Sequence, residues 1–450
     1  MGKRLSNYEE EEIVFNQKRY ETLLAETYNY VKVKPIDAEK TIHLINRIRE
    51  DRGIIAFTSA IGTISRIQLF RIYKDGSNEL KNTTVAGILS AKLPGCNVTL
   101  DDFMDAQGKI RIDKQEEYKR IYKKELRQIL LYSLLQSGCE MALQEENKGK
   151  RPENEDQSKF SIRITQPKES VWDFEIRTFS YTGRPADISD VINELLSHLV
   201  SASVHKRESY KYSLIIDNEF VYRELKEKAE TIRLPDEVSI ILISAFHRKV
   251  IEECNIPRSG VTDGNTSLFP NLVDPSETSI SYSLEEKYKI DCQAIIMDDL
   301  LQSGNAIRIT NPENPILLFR FINLHSDLSI CITEKSTKTD TRTFFIKDIS
   351  DYTDYSDVSR SIHDWLLETI ASFHTGKFDA GNKISLVVNQ PALYHNISKE
   401  MSTVKIPERI SVILIDTNRR EISNEKNNPC FSTNPGQKSA NQFNQKNAGA

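Results

Sequence analysis

Two stretches decide the reading of this chain: SLIIDNEFVYRELKEKAETIRLPDEVSIILISAFHRKVIEE (residues 213–253) and SLVVNQPALYHNISKEMSTVKIPERISVILIDTNRREISNE (residues 385–425). They align without a gap, and 11 of 41 positions are identical. The identities include Ser213/Ser385, Tyr222/Tyr394, Thr231/Thr403, Pro235/Pro407 and the run Ile241-Leu242-Ile243 against Ile413-Leu414-Ile415. Arg248 meets Arg420, and many other positions keep their character, such as Leu234/Ile406, Arg233/Lys405 and Asp236/Glu408. Each stretch reads as a continuous apolar strand, a helix and a second apolar strand, the pattern of strands buried on both faces.

Upstream the match continues in pieces. Ile162-Arg163-Ile164-Thr165 with Pro167 resembles Ile307-Arg308-Ile309-Thr310 with Pro312. Tyr122-Lys123 followed by Leu134-Leu135-Gln136-Ser137-Gly138 resembles Tyr288-Lys289 followed by Leu300-Leu301-Gln302-Ser303-Gly304. Three matches in one order predict a tandem duplication. The expected unit starts with a helix stopped by glycine, at Gly138 or Gly304. A strand follows at Ile162–Thr165 or Ile307–Thr310, then one carrying Phe174 or Phe319. Leu328–Thr333 and Arg342–Ile346 read as further strands of the second copy. A helix comes next, Val191–Val200 or Val358–Phe373, and then the two long matched stretches.

The expected fold class is therefore α/β (α+β): two divergent tandem modules with mixed central sheets, plus an N-terminal α+β region. The expected boundaries are 1–116 for that region, 117–253 for copy one, 254–283 for a breaker-rich linker, 284–423 for copy two and 424–450 for a disordered tail. In the first region Ala38–Arg49 has helical spacing, whereas Ile54-Ile55-Ala56-Phe57 and Ile67–Ile72 read as a strand pair. Residues 77–116 give no clear pattern. Residues 140–159 hold few apolar side chains and read as a loop, and the tail is too polar to offset its chain entropy.

Composition narrows the function classes. The 450 residues carry a net charge of −5 with 38% hydrophobic and 28% charged residues, so no global charge pulls the chain toward nucleic acid or acidic membranes. No run approaches the roughly 18 apolar residues of a membrane span. The Glu9–Glu12 run leaves no apolar signal core. Six scattered cysteines, none in a Cys-x-x-Cys pair, suit a reduced intracellular, cytoplasmic setting. Delivery into another cell's cytosol would leave the same signature. Phosphate-loop, dinucleotide, zincin and Gly-x-Ser-x-Gly signatures do not occur.

Several clusters invite chemistry. Asp187-Ile188-Ser189-Asp190 recurs as Asp348-Ile349-Ser350-Asp351; paired acids could share a metal, but acids and serines before a helix are also ordinary N-caps. Lys119, Arg120, Lys123, Lys124 and Arg127 form a basic helix that could contact phosphates, or a solvated face. His363 and His374 would lie about 16 Å apart along one helix, too far to share a metal. His205 and His247 have no evident nucleophile partner. Leu-Gln-Ser-Gly looks like a viral main-protease site, yet ends a helix in both copies.

Trp172-Asp173-Phe174-Glu175-Ile176-Arg177 places Asp173 and Glu175 on one face of a strand, as metal-dependent nucleases present carboxylates to Mg²⁺. The order helix, strands, helix, strand, helix, strand resembles the PD-(D/E)xK nuclease layout. That resemblance implies Asp173 and Glu175 as ligands of Mg²⁺ or Mn²⁺, with Arg177 where the family has lysine. Copy two, aligned through Arg320-Phe321-Ile322, would lack the acid. The leading expectation is a non-catalytic binding or scaffold protein with a protein partner and no cofactor, its modules of degenerate nuclease-like origin. The alternatives are a Mg²⁺- or Mn²⁺-dependent nuclease acting through copy one, and a nucleic-acid binder without cleavage.

Overall fold

The computed structural model describes residues 7–33, 36–74, 78–144, 158–179, 188–204, 210–235, 237–257, 269, 282–310, 328–333, 339–346, 363, 382–403 and 409–427. The class is α/β, with helices and mixed parallel and antiparallel strands. The chain divides into two compact units. One holds residues 1–133, 146–162 and 169–284; the other holds 134–145, 163–168 and 285–450.

The first unit opens with a helical region: α1 (Asn7–Thr27), α2 (Ala38–Arg49), α3 (Ile54–Ile61), α4 (Arg66–Lys74), α5 (Asn82–Ser90) and α6 (Leu100–Ala106). A short antiparallel pair, β1 (Tyr30–Lys32) with β2 (Lys109–Arg111), keeps the region α+β. The strands expected at 54–57 and 67–72 are the helices α3 and α4. Short apolar runs do not distinguish strand from helix; the packing does. Phe57 and Ile61 are four apart, Leu69 and Ile72 three apart, and all four are buried in one core with Leu44, Ile45 and Ile48 of α2. Side chains at those spacings share one helical face, whereas a strand would split Leu69 from Ile72.

The α/β part of this unit begins at α7 (Gln115–Gln136). Next come β4 (Lys159–Gln166), whose first half lies here, then β5 (Ser170–Arg177), α8 (Ile188–Ala202), β6 (Tyr210–Ile216), α9 (Glu219–Ala229), β7 (Glu237–Ser244) and β8 (Lys249–Asn255). The strand order is β4-β5-β6-β7-β8. β5, β6 and β7 run parallel, and β8 returns antiparallel. Every residue of β6 is buried, as its continuous Leu214-Ile215-Ile216 run requires. The buried stripe Ile188, Ile192, Leu195 and Leu199 of α8 joins Leu214, Ile216, Val221, Leu225, Ile240 and Leu242 in a single core. Asn218 caps α9 by accepting from the Val221 amide at 3.0 Å.

The second unit contains β3 (Glu140–Leu143), α10 (Leu284–Gln302), β9 (Ala306–Ile309), β10 (Leu328–Thr333), β11 (Thr339–Ile346), β12 (Asn382–Val388), α11 (Pro391–Thr403), β13 (Ile410–Asp416) and β14 (Glu421–Asn427). Its strand order is β14-β13-β12-β11-β10-β9-β3. β11, β12 and β13 run parallel, and β14 returns antiparallel.

The two matched stretches have the same local architecture. Their last hairpins carry a register shift at the same aligned step, Leu242/Ile243 and Leu414/Ile415. Arg248 and Arg420 both adopt positive φ, 52° and 55°. Gly138 and Gly304, after α7 and α10, sit at φ 88° and 84°, the left-handed stop that glycine adopts without strain.

Some sequence matches fall on different strands. Ile162–Thr165 lies in β4, the second strand after α7, whereas Ile307–Ile309 forms β9, the first after α10. The strand standing beside β12 as β5 stands beside β6 is β11, since Phe174 pairs with Ser213 and Phe344 with Ser385. The expected equivalents Phe319 and Arg320-Phe321-Ile322 lie outside the described residues, as do Asp187, Asp348–Asp351 and the 358–373 helix except His363. The expected loop at 140–159 begins with β3, whose Met141 pairs with Ile307. The expected tail begins inside β14, which runs to Asn427; the rest lies outside the described residues.

Candidate functional site

β5 alternates as its sequence requires. Trp172, Phe174 and Ile176 enter an apolar layer, where Trp172 and Phe174 rings lie 4.7 Å apart and Phe160 stacks on Phe174 at 5.1 Å. Asp173, Glu175 and Arg177 point to the other face. Asp173 and Glu175 take different partners there. Asp173 accepts a hydrogen bond from Tyr210 OH at 2.7 Å. Glu175 is buried, its side chain 4% exposed, and ringed by donors. Lys159 Nζ lies 3.2 Å from Oε2 and Arg177 Nε 2.7 Å from Oε1. His198 Nε2 is 2.7 Å from Oε2, and Tyr212 OH donates to the same oxygen at 3.1 Å. His198 and Tyr212 also touch each other, at 2.9 Å.

Burial pushes the Glu175 carboxyl up. The hydrogen bonds from Lys159 and His198, with the charges of His198 and Arg177, outweigh it and hold the group below the usual carboxylate range. Burial, and then the Glu175 charge, push the Tyr212 phenol well above its ordinary value. The result is a fixed carboxylate whose oxygens already face three basic side chains and a phenol. A divalent ion would have to displace those cations and would meet their repulsion. Among the described residues, no group of three or more His, Cys, Asp or Glu side chains stands ready to hold a metal.

The second unit has no such cluster at the matching register. Glu175 pairs with Leu214, and Phe345 pairs with the aligned Leu386. Phe345 is buried where Glu175 would stand, and Ile384 occupies the register of Tyr212. What both units share lies on the other side of β6 and β12. Lys211 Nζ reaches Glu253 at 2.6 Å, and Lys383 Nζ reaches Glu425 at 2.8 Å. Ser213 and Ser239 hydroxyls meet at 2.5 Å; those of Ser385 and Ser411 meet at 2.8 Å. Trp172 Nε1 donates to Ser213 Oγ at 2.6 Å, and Arg342 Nε donates to Ser385 Oγ at 3.1 Å from the aligned position. The positive-φ arginines reach back to the long helices: Arg248 lies 3.8 Å from Glu125 and Arg420 lies 2.9 Å from Asp291. Counted from Tyr122 and Tyr288, Glu125 and Asp291 hold the same helix position. These recurrent polar contacts tie strand to strand and hairpin to helix.

The basic helix is only partly a surface. Lys119 and Arg120 are exposed, with Lys119 paired to Glu116 at 2.7 Å. Lys123 and Lys124 are half-buried. Arg127 is buried, its guanidinium 5.2 Å from the Phe160 ring centroid. His363 is exposed and lies 3.7 Å from Glu400, and the His247 amide bonds to Ser244 Oγ at 3.2 Å. His205 and His374 lie outside the described residues. His198 and Tyr212 were not visible as partners of Glu175 in the sequence, since they are 23 and 37 residues away along the chain. Among the described residues, no helix is long and apolar enough to cross a membrane, and no disulfide joins the cysteines.

No model of a known protein family matches the chain, and no curated protein matches it.

Proposed function

We propose that the chain is a non-catalytic binding or scaffold protein, built from two related α/β modules of degenerate nuclease-like layout. One observation carries this reading: Glu175, the acid of the strand triplet Glu175-Ile176-Arg177 that stands where the nuclease layout has its Glu-x-Lys, is spent on Lys159, Arg177, His198 and Tyr212. The second unit replaces it with Phe345. The order of α7, three strands, α8 and β6 supports the layout, and the recurrent Lys–Glu and Ser–Ser contacts support common ancestry of the modules. Such modules need no cofactor; they hold a shape, and the partner they present it to is another protein.

The test is digestion of DNA and RNA in Mg²⁺ or Mn²⁺ by the wild type and by Glu175→Ala. The expected outcome is no metal-dependent cleavage by either. Cleavage by the wild type that disappears in Glu175→Ala would establish the nuclease instead.

A further inference from the structure

The helical region before α7 presents a second kind of surface. α3 ends at Gly62, which sits at φ 67° with its amide bonded to Thr58 O at 3.1 Å. A short turn follows, and α4 begins after Ser65. Ser65 and Gln68 cap that start reciprocally: the Ser65 amide donates to Gln68 Oε1 at 2.8 Å, and the Gln68 amide to Ser65 Oγ at 3.3 Å. Phe57 and Ile61 of α3, Ile64 of the turn, and Leu69 and Ile72 of α4 are buried together. α5 lies hard against the turn. A Cβ on Gly87 would fall 2.1 Å from Thr63 Oγ1 and 3.0 Å from Ile61 Cγ2. Two short helices, a four-residue turn that contains Gly62 and a buttress behind it are the parts of a helix–turn–helix.

The outward side of α4 is unusual for this chain. Arg66, Ile67, Phe70, Arg71 and Lys74 are all exposed, Ile67 at 66% and Phe70 at 55%. At helical spacing they span an arc of about 140° on the side away from Leu69 and Ile72. The helix carries three basic side chains and no acid, in a protein of net charge −5. None of Arg66, Arg71 and Lys74 forms an ion pair with a described residue. α3, next to it, starts at Gly53 without a side-chain cap, so its first amides are open to an anion. With its side chains α4 is about 10–12 Å across, a fit to a major groove roughly 12 Å wide, and its nine residues run about 13 Å along it.

We propose that α3 and α4 form a duplex-DNA-binding helix–turn–helix, with α4 as the helix that enters the major groove. Arg71 and Lys74 contact phosphates, as does the open start of α3. Arg66, at the first turn of α4, faces base edges, and Ile67 and Phe70 supply apolar contact to thymine methyl groups. Three exposed apolar side chains, Ile55 of α3 with Ile67 and Phe70 of α4, are too few to hold a membrane, and the three cations of α4, which form no ion pair with a described residue, favour a polyanion over an apolar protein groove. This goes beyond the scaffold reading: the N-terminal helices hold DNA while the α/β modules hold a protein.

The experiment is fluorescence anisotropy of the full chain with a pool of random-sequence duplexes about 30 base pairs long, between roughly 50 and 200 mM salt. Charge reversal at two exposed positions, Arg71→Glu with Lys74→Glu, should weaken binding about tenfold or more and reduce the salt slope by about 2, with an unchanged melt. A second variant, Ile67→Ser with Phe70→Ser, should keep the salt slope and lose the sequence enrichment seen when bound duplexes are recovered. The matched control is Lys119→Glu with Arg120→Glu on α7, which should leave binding unchanged. The proposal is overturned if the wild type does not bind the duplexes, if the α7 variant and not the α4 variant loses binding, or if anionic vesicles are bound and duplexes are not.

Discussion

Asp217 shows how one side chain sets a pH dependence. It follows β6, accepts from the Phe179 amide at 3.0 Å and takes a hydrogen bond from the Tyr122 phenol. Burial dominates these bonds and pushes the carboxyl up to about 6 from 3.8. A carboxyl raised in the folded state favours folding while it is protonated. Its contribution is full below the unfolded value near 3.8 and is lost as pH rises toward 6. At neutral pH the ionised group therefore costs on the order of 2–3 kcal/mol relative to a neutral one. The second unit has Asn389 at the aligned position, and Tyr288 where copy one has Tyr122. Asp217→Asn is thus expected to raise the melting temperature at pH 7, with the gain vanishing below about pH 4. Melts at both pH values check this; equal shifts at both would show that hydrogen bonding and not ionisation governs the site. Glu175 has the opposite sign: its lowered carboxyl adds stability above the unfolded value and loses it as acid protonates the folded group.

The elements differ in how plainly the sequence announces them. β6 and β7 were legible because Leu214-Ile215-Ile216 and Ile240–Ile243 are continuous apolar runs, a pattern that strands covered on both faces produce, and because the pattern recurs at the same spacing as Leu386-Val387-Val388 and Val412–Ile415. α3 and α4 were not. Their apolar residues lie close enough together to imitate strands, and Gly53 and Gly62, helix boundaries in the structure, look like turn residues in the sequence. β5 was half legible. Alternation put Asp173 and Glu175 on one face, but the side chains that claim Glu175 come from α8, β4 and β6, and sequence separation hides such meetings. Gly87 provides the element-scale prediction. In a helix interior Gly→Ala ordinarily stabilises by about 1 kcal/mol. Here the added methyl meets Thr63 and Ile61, so overlap wins, and Gly87→Ala should destabilise by about 1–3 kcal/mol. Thr63→Ala removes the nearest obstructing atom and should restore part of the loss. A denaturation double-mutant cycle measures the coupling, and additive effects would disprove the close approach.

At the scale of the whole chain, the two α/β modules keep their framework and differ in their chemistry. The framework comprises the register of β5–β6 and β11–β12, the bulged last hairpin, the left-handed arginine and the Lys–Glu and Ser–Ser contacts. The chemistry is Glu175 with its four polar partners in one unit, against Phe345 in the other. A buried charge network that can be exchanged for apolar packing of similar volume is a structural solution, one that tolerates substitution as a set and not singly. The most direct test is therefore whether Glu175 can take a cation at all. Thermal melts of the full chain are recorded with and without Mn²⁺, for the wild type and for Glu175→Gln. A carboxylate already held by Lys159, Arg177, His198 and Tyr212 predicts no Mn²⁺-dependent rise in the wild type. A rise with Mn²⁺ in the wild type that Glu175→Gln abolishes would show a metal site, and would contradict the non-catalytic reading at its base.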